Sequence, residues 1–235
     1  MKIAQQLRQT DMVAYLLYMW YVEDLLRANG CDAERVTALM AAGAKLEERD
    51  AMAEWYDNLA EMMRAEGVTQ GGHLQMLRNL VMDLTELHIA LTKSSKFPFY
   101  SAAYFKALPL IVELRQRNGQ KLQPEIETCL EALYGIYLLR MQQKPVTPAT
   151  LDAAKCITTF LGLLSDYYLK ERRGELDRYH LDEEKPRGGS GSPSIEGESP
   201  RIEGENPRGE TGSPCGETEN PRCEEEKPSN AYGES

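Results

Sequence analysis

Eleven consecutive apolar residues, Met12 to Val22, are closed by a tight set of charges, Glu23, Asp24 and Arg27. Glu23 and Arg27 stand four residues apart, so on a helix they share a face and can pair. With Trp20 and Tyr21 in the same turn, two readings are open. In the first, Glu23, Asp24, Arg27 and Trp20 form the floor of a ligand pocket, because buried charges beside aromatic rings orient a polar ligand. In the second, the helix end reaches solvent and carries an ordinary ion pair. The second requires no buried charge and is the simpler.

Other routes to chemistry close. A helical protein that holds a di-metal centre needs Glu-x-x-His on two helices, and none of His73, His88 or His180 has a Glu three residues before it. His73 follows Gly71-Gly72 and reads as a solvated helix-start position; His88 lies on an apolar seam and reads as a packed core residue. The cysteines, at 31, 129, 156, 215 and 223, form no C-x-x-C pair and have no His at ligand spacing, the usage of a reducing cytoplasm. Those at 31, 129 and 156 read as small buried hydrophobes. No G-x-S-x-G elbow follows a strand, and Gly71-Gly72 without a nearby Lys reads as a turn, not a phosphate cradle. No metal and no cofactor is expected.

The net charge is -10. Half of it falls in residues 185–235 and half before them, so neither part offers the clustered cations that nucleic-acid binding requires. Lys170, Arg172 and Arg173 gather at an expected helix end, where they complement its dipole. The Met12–Val22 run is too short to span a membrane, which takes about 20 apolar residues. The flanking Asp11, Glu23 and Asp24, with no small-residue cleavage site, argue against a secretory signal. Neither nucleic acid nor membrane is expected as a partner.

These residues must be positioned by helices. The 10–28 segment, with Thr10 as N-cap and Asn29-Gly30 as stop, is apolar on every side and should lie at the centre of the fold or at an interface. Further helical patterns run from Asp32 to Met40, Leu46 to Glu66 and His73 to Lys93; the last repeats Leu77, Val81, Leu84, His88 and Leu91 at alternating steps of four and three. Pro98, Pro124 and Thr147-Pro148 open three more, with Pro109 inside the first expected to kink it and Asn118-Gly119 to stop it. No stretch before residue 181 alternates with period two, so the expected fold is all-α, a bundle or short stack of about seven helices over residues 1–181.

From Pro186 a proline recurs every seven residues through Pro228. A proline in each unit forbids a coiled coil, and scarce apolar residues leave nothing to bury. Residues 182–235 are thus expected to be a disordered, acidic, low-complexity tail. Truncation after Glu184 is expected to leave the thermal midpoint and the helical circular dichroism amplitude per molecule unchanged. A fall of several degrees would show that the tail docks on the domain.

The segments Ala4–Arg8, Tyr15–Trp20 with Glu23-Asp24-Leu25, Met62-Met63-Arg64, Gly72-His73-Leu74, Tyr100–Tyr104, Ile111–Arg115 and Pro124–Cys129 together resemble an uncharacterised family of small bacterial proteins, from Bacteroidota, defined as a domain of unknown function. The resemblance covers residues 1 to about 175. It implies a cytoplasmic bacterial helical protein and supplies no activity, catalytic residue or cofactor.

Taken together, the sequence favours a non-enzymatic helical interaction module, motivated by the all-round apolar first helix and the leucine seam. A protein partner or self-association through either of those surfaces is the expectation. The alternative is an enzyme or small-molecule binder with a charged pocket at Trp20, Glu23, Asp24 and Arg27.

Overall fold

The computed structural model describes residues 2–43, 45–117 and 123–181. The expected disordered tail and the Asn118-Gly119 stop lie outside these. Among the described residues there are eight helices and no strand: α1 (Lys2–Thr10), α2 (Met12–Ala28), α3 (Ala33–Met40), α4 (Leu46–Ala65), α5 (Gln75–Lys93), α6 (Pro98–Arg117), α7 (Glu125–Met141) and α8 (Pro148–Arg172). The fold is all-α, as its periodicity implies, with one helix more than expected.

The extra helix is α1, a polar segment with Ala4 as its single buried residue. Thr10 does not cap α2; its hydroxyl donates back to the Gln6 carbonyl at 3.0 Å. The N-cap of α2 is Asp11, whose Oδ1 accepts from the Val13 and Ala14 amides at 3.0 and 3.1 Å. The Ser165 hydroxyl of α8 donates to the same carboxylate and accepts from Met12 N at 2.8 Å, so one polar knot starts α2 and ties it to α8.

α2 is the central element. It packs against α1, α3, α4, α7 and α8, and no residue from Met12 to Arg27 is exposed. Its apolar circumference, two of whose stripes no single-faced helix would need, is consumed inside the chain. The seam of α5 is likewise internal: Leu77, Val81, Leu84, His88 and Leu91 are all buried. α6 continues through Pro109 without interruption and turns Tyr100, Ala107 and Ile111 inward, mainly towards α8. No described helix is long and apolar enough to cross a membrane.

Candidate functional site

The candidate side chains converge where α2 meets the loop joining α4 to α5. That loop turns at Gly67 and Gly72; the latter has φ +81°, a left-handed conformation that favours glycine. Arg27 fixes it. Its Nε donates to the Val68 carbonyl at 3.2 Å and its Nη2 to the Gly72 carbonyl, while Nη1 pairs with Asp24 at 2.7 Å. Glu66 then accepts from the Gln75 amide at 2.5 Å, and the loop delivers His73 and Leu74 onto α2.

Glu23 receives them. It is 1 % exposed, and its Oε1 accepts from the Leu74 amide at 2.8 Å while Oε2 contacts His73 Nδ1 at 2.6 Å. Arg27 Nη2 stands 3.9 Å from the same Oε2. The His73 ring stacks on Trp20, centroids 4.2 Å apart and planes within 17°. On the far side Tyr134 of α7 meets Trp20 edge-on at 5.7 Å and donates its hydroxyl to Asp24 Oδ2 at 2.5 Å. Burial, and then the Asp24 carboxylate that accepts its proton, push the Tyr134 phenol well above its usual range.

Trp20, Glu23, Asp24 and Arg27 are therefore brought together; Trp20 and Glu23 are buried, and solvent reaches the set chiefly at Asp24, whose side chain is 44 % exposed. Arg27 pairs more closely with Asp24 than with Glu23, and its side chain is only 14 % exposed. His73 is neither a free cap nor part of α5, which starts two residues later. Its partner lies fifty residues away, and spacing within one helix carries no trace of it.

A cleft of about 350 Å³ opens beside this cluster, between α5 and the start of α7. Trp20 and His73 form one wall, with Leu77, Val81 and Pro124 as apolar lining and Glu127 near the rim. Glu23 stands behind His73 rather than in the cleft, and Asp24 and Arg27 support it from further back. The Trp20 Nε1–H is buried with no acceptor among the described residues. A larger cavity of about 560 Å³ between α1, α5 and α8 carries charges too, but its Asp83 is already engaged by Tyr168 and Arg178.

The arrangement has a defined chemical capacity. With Nδ1 donating to a buried carboxylate, a neutral imidazole presents Nε2 as an acceptor, the tautomer that binds a donor group or takes a proton. His73 Nε2 makes no hydrogen bond among the described residues, so no nucleophile is paired with it there. No group of three or more His, Cys, Asp or Glu among them could hold a metal ion.

A second polar cluster lies inside. His88 Nδ1 meets the Tyr100 hydroxyl at 2.7 Å, and Nε2 stands 3.5 Å from Glu125, which faces Arg115 at 3.7 Å. Tyr104 and Phe160 pack edge-on against the same imidazole. Burial raises the thiol of adjoining Cys129 to about 12, with Glu125 adding to the rise and Arg115 opposing it. That thiol is an inert core group, not a nucleophile.

Residues 1–175 match the family described as a domain of unknown function (DUF4924), and the chain belongs to it. No curated protein and no solved structure matches the chain.

Proposed function

We propose that this member of the family binds a small organic molecule in the cleft walled by Trp20 and His73. One observation carries the reading: an imidazole held by a buried carboxylate and stacked on an indole walls a cavity whose apolar lining of Leu77, Val81, Met82 and Pro124 is joined by Arg78, Thr85, Glu86 and Glu127. Supporting a histidine by a carboxylate that itself is taken out of water is costly, and such a pair is typical of sites that bind or move a proton. The volume lies at the small end of ligand pockets and suits a compact molecule, apolar in its body and with one donor group for Nε2. The same geometry would serve a proton-transfer enzyme, with His73 as base and Glu23 as its orienting partner.

The chain has two tryptophans, so Trp55→Phe leaves Trp20 as sole reporter. Titrating this variant with a panel of small aromatic alcohols and amides is expected to change Trp20 emission and raise the melting temperature for at least one compound. His73→Asn retains a donor for Glu23 and removes Nε2, and should abolish that response. If no compound moves either signal, and native mass spectrometry of protein purified from its own cells finds no organic adduct, the reading fails.

The alternative of a helical interaction module loses the support of α2 and of the leucine seam of α5, which are internal, although Met82 and Ile89 of α5 are exposed. An exposed apolar stripe on α6 also stays in its favour. A cytoplasmic location is supported by the cysteines at 31, 129 and 156, which are free.

A further inference from the structure

The inner face of α6 is packed, yet its outer face is also apolar. Phe99, Phe105 and Val112 are 83, 64 and 45 % exposed, and Ala102 and Pro109 between them are exposed as well. At 100° per residue Ala102, Phe105, Pro109 and Val112 form one band along a helix about 30 Å long, with Phe99 beyond one edge of it. Ala102 and Pro109 run along its middle, Phe105 and Val112 along one edge, and Lys106 and Glu113 along the other. A solvent-facing band carrying Phe105, Pro109 and Val112 on one helix is the kind of surface that another chain covers.

The order of residues names the occupant. Phe105 and Val112 stand four residues before and three after Pro109; Lys106 and Glu113 stand three before and four after it. The midpoints of the two pairs fall half a residue before and half a residue after Pro109, so both edges are close to self-complementary about Pro109. We propose that α6 packs antiparallel on α6 of a second copy of this chain, around a two-fold axis passing Pro109. Phe105 then lies over Val112 of the second copy, and Lys106 beside Glu113 of the second copy, each contact occurring twice. The small Ala102 and the flat Pro109 ring allow the two helix axes to approach. A parallel pair would instead set the Lys106–Glu113 edge of one copy beside the Phe105–Val112 edge of the other, charged groups against apolar side chains, an unfavourable arrangement. Lys106 makes no ion pair among the described residues. Glu113 engages Arg117 of its own helix through Oε1 at 2.6 Å, which leaves Oε2 for a second donor.

Sedimentation velocity of the full chain over roughly a hundredfold range of concentration tests this, since a two-fold dimer dissociates on dilution. The wild-type chain is expected to dimerise. Lys106→Glu and Glu113→Lys, both at exposed positions, should each weaken the dimer by about tenfold or more, because each sets like charges face to face twice. An equimolar mixture of the two variants should recover association as a heterodimer, and the double variant K106E/E113K should dimerise by itself. A wild-type chain that stays monomeric throughout, a dimer indifferent to both single changes, or a mixture that fails to recover would each overturn the proposal. The first outcome would leave the band to a different partner.

Discussion

Replacing Glu23 with Ala is expected to lower the free energy of unfolding by about 3–5 kcal/mol, the range for removing one member of a buried, hydrogen-bonded charge set. The loss has three sources. The Leu74 amide, on a residue with no exposure, is left without its acceptor, which costs about 1–3 kcal/mol. His73 loses the group that holds Nδ1, and the Arg27 guanidinium keeps only Asp24 as a carboxylate partner. A small cavity also opens beside Trp20.

Glu23→Gln separates these effects. The amide oxygen can still accept from Leu74 while the charge is gone, so its loss should be clearly smaller than that of Ala. Urea denaturation followed by helical circular dichroism reads both. A loss below about 1 kcal/mol for Glu23→Ala would mean that the α4–α5 loop is held by other contacts, and that Glu23 does not position His73.

The features legible in the sequence are those set by local chemistry. Asp32 caps α3 through the Arg35 amide, Asn29 and Gly30 end α2, and Pro98 and Pro148 open α6 and α8, because each of these acts within a turn of its own position. α1 leaves only a faint signal, because Lys2–Thr10 is short and its apolar side is no more than Ile3, Ala4 and Leu7, of which Ala4 alone is fully buried. The candidate cluster is half legible. A lone Glu in an apolar run signals either a helix end or a buried charge, and only the packing of α7 and the α4–α5 loop over α2 decides which. Tyr134 reaches Asp24 across 110 residues of sequence, and no spacing rule carries such a contact. The apolar circumference of α2 illustrates the converse. It requires cover on all sides but does not say whether that cover comes from the same chain, and five neighbouring helices supply it here.

His88 leads to the second large expectation, an acid limb in stability. Its imidazole is nearly buried on α5, facing Tyr100 and Tyr104 of α6, Phe160 of α8, and Glu125 of α7 with Arg115 behind it. Burial lowers its pKa from the ordinary 6.5, and the Glu125 carboxylate opposes that shift without cancelling it. In the window below 6.5 the unfolded chain therefore takes up a proton that the folded chain refuses. Stability contributed by neutral His88 is complete above 6.5, is lost progressively as pH falls towards the folded value, and costs about 1.4 kcal/mol for each unit separating the two. His88→Gln retains a side chain able to hydrogen bond Tyr100 but does not titrate. The wild-type chain should lose stability more steeply than this variant as the pH falls below about 6.5 in urea melts, with the two curves parallel above about pH 7. Groups remote from His88 contribute to both curves alike, so the difference isolates His88 together with its partner Glu125. A difference of opposite sign, with the wild type gaining on the variant as pH falls, would show that the folded state holds His88 protonated and paired with Glu125. The pairing, rather than the burial, would then set its charge.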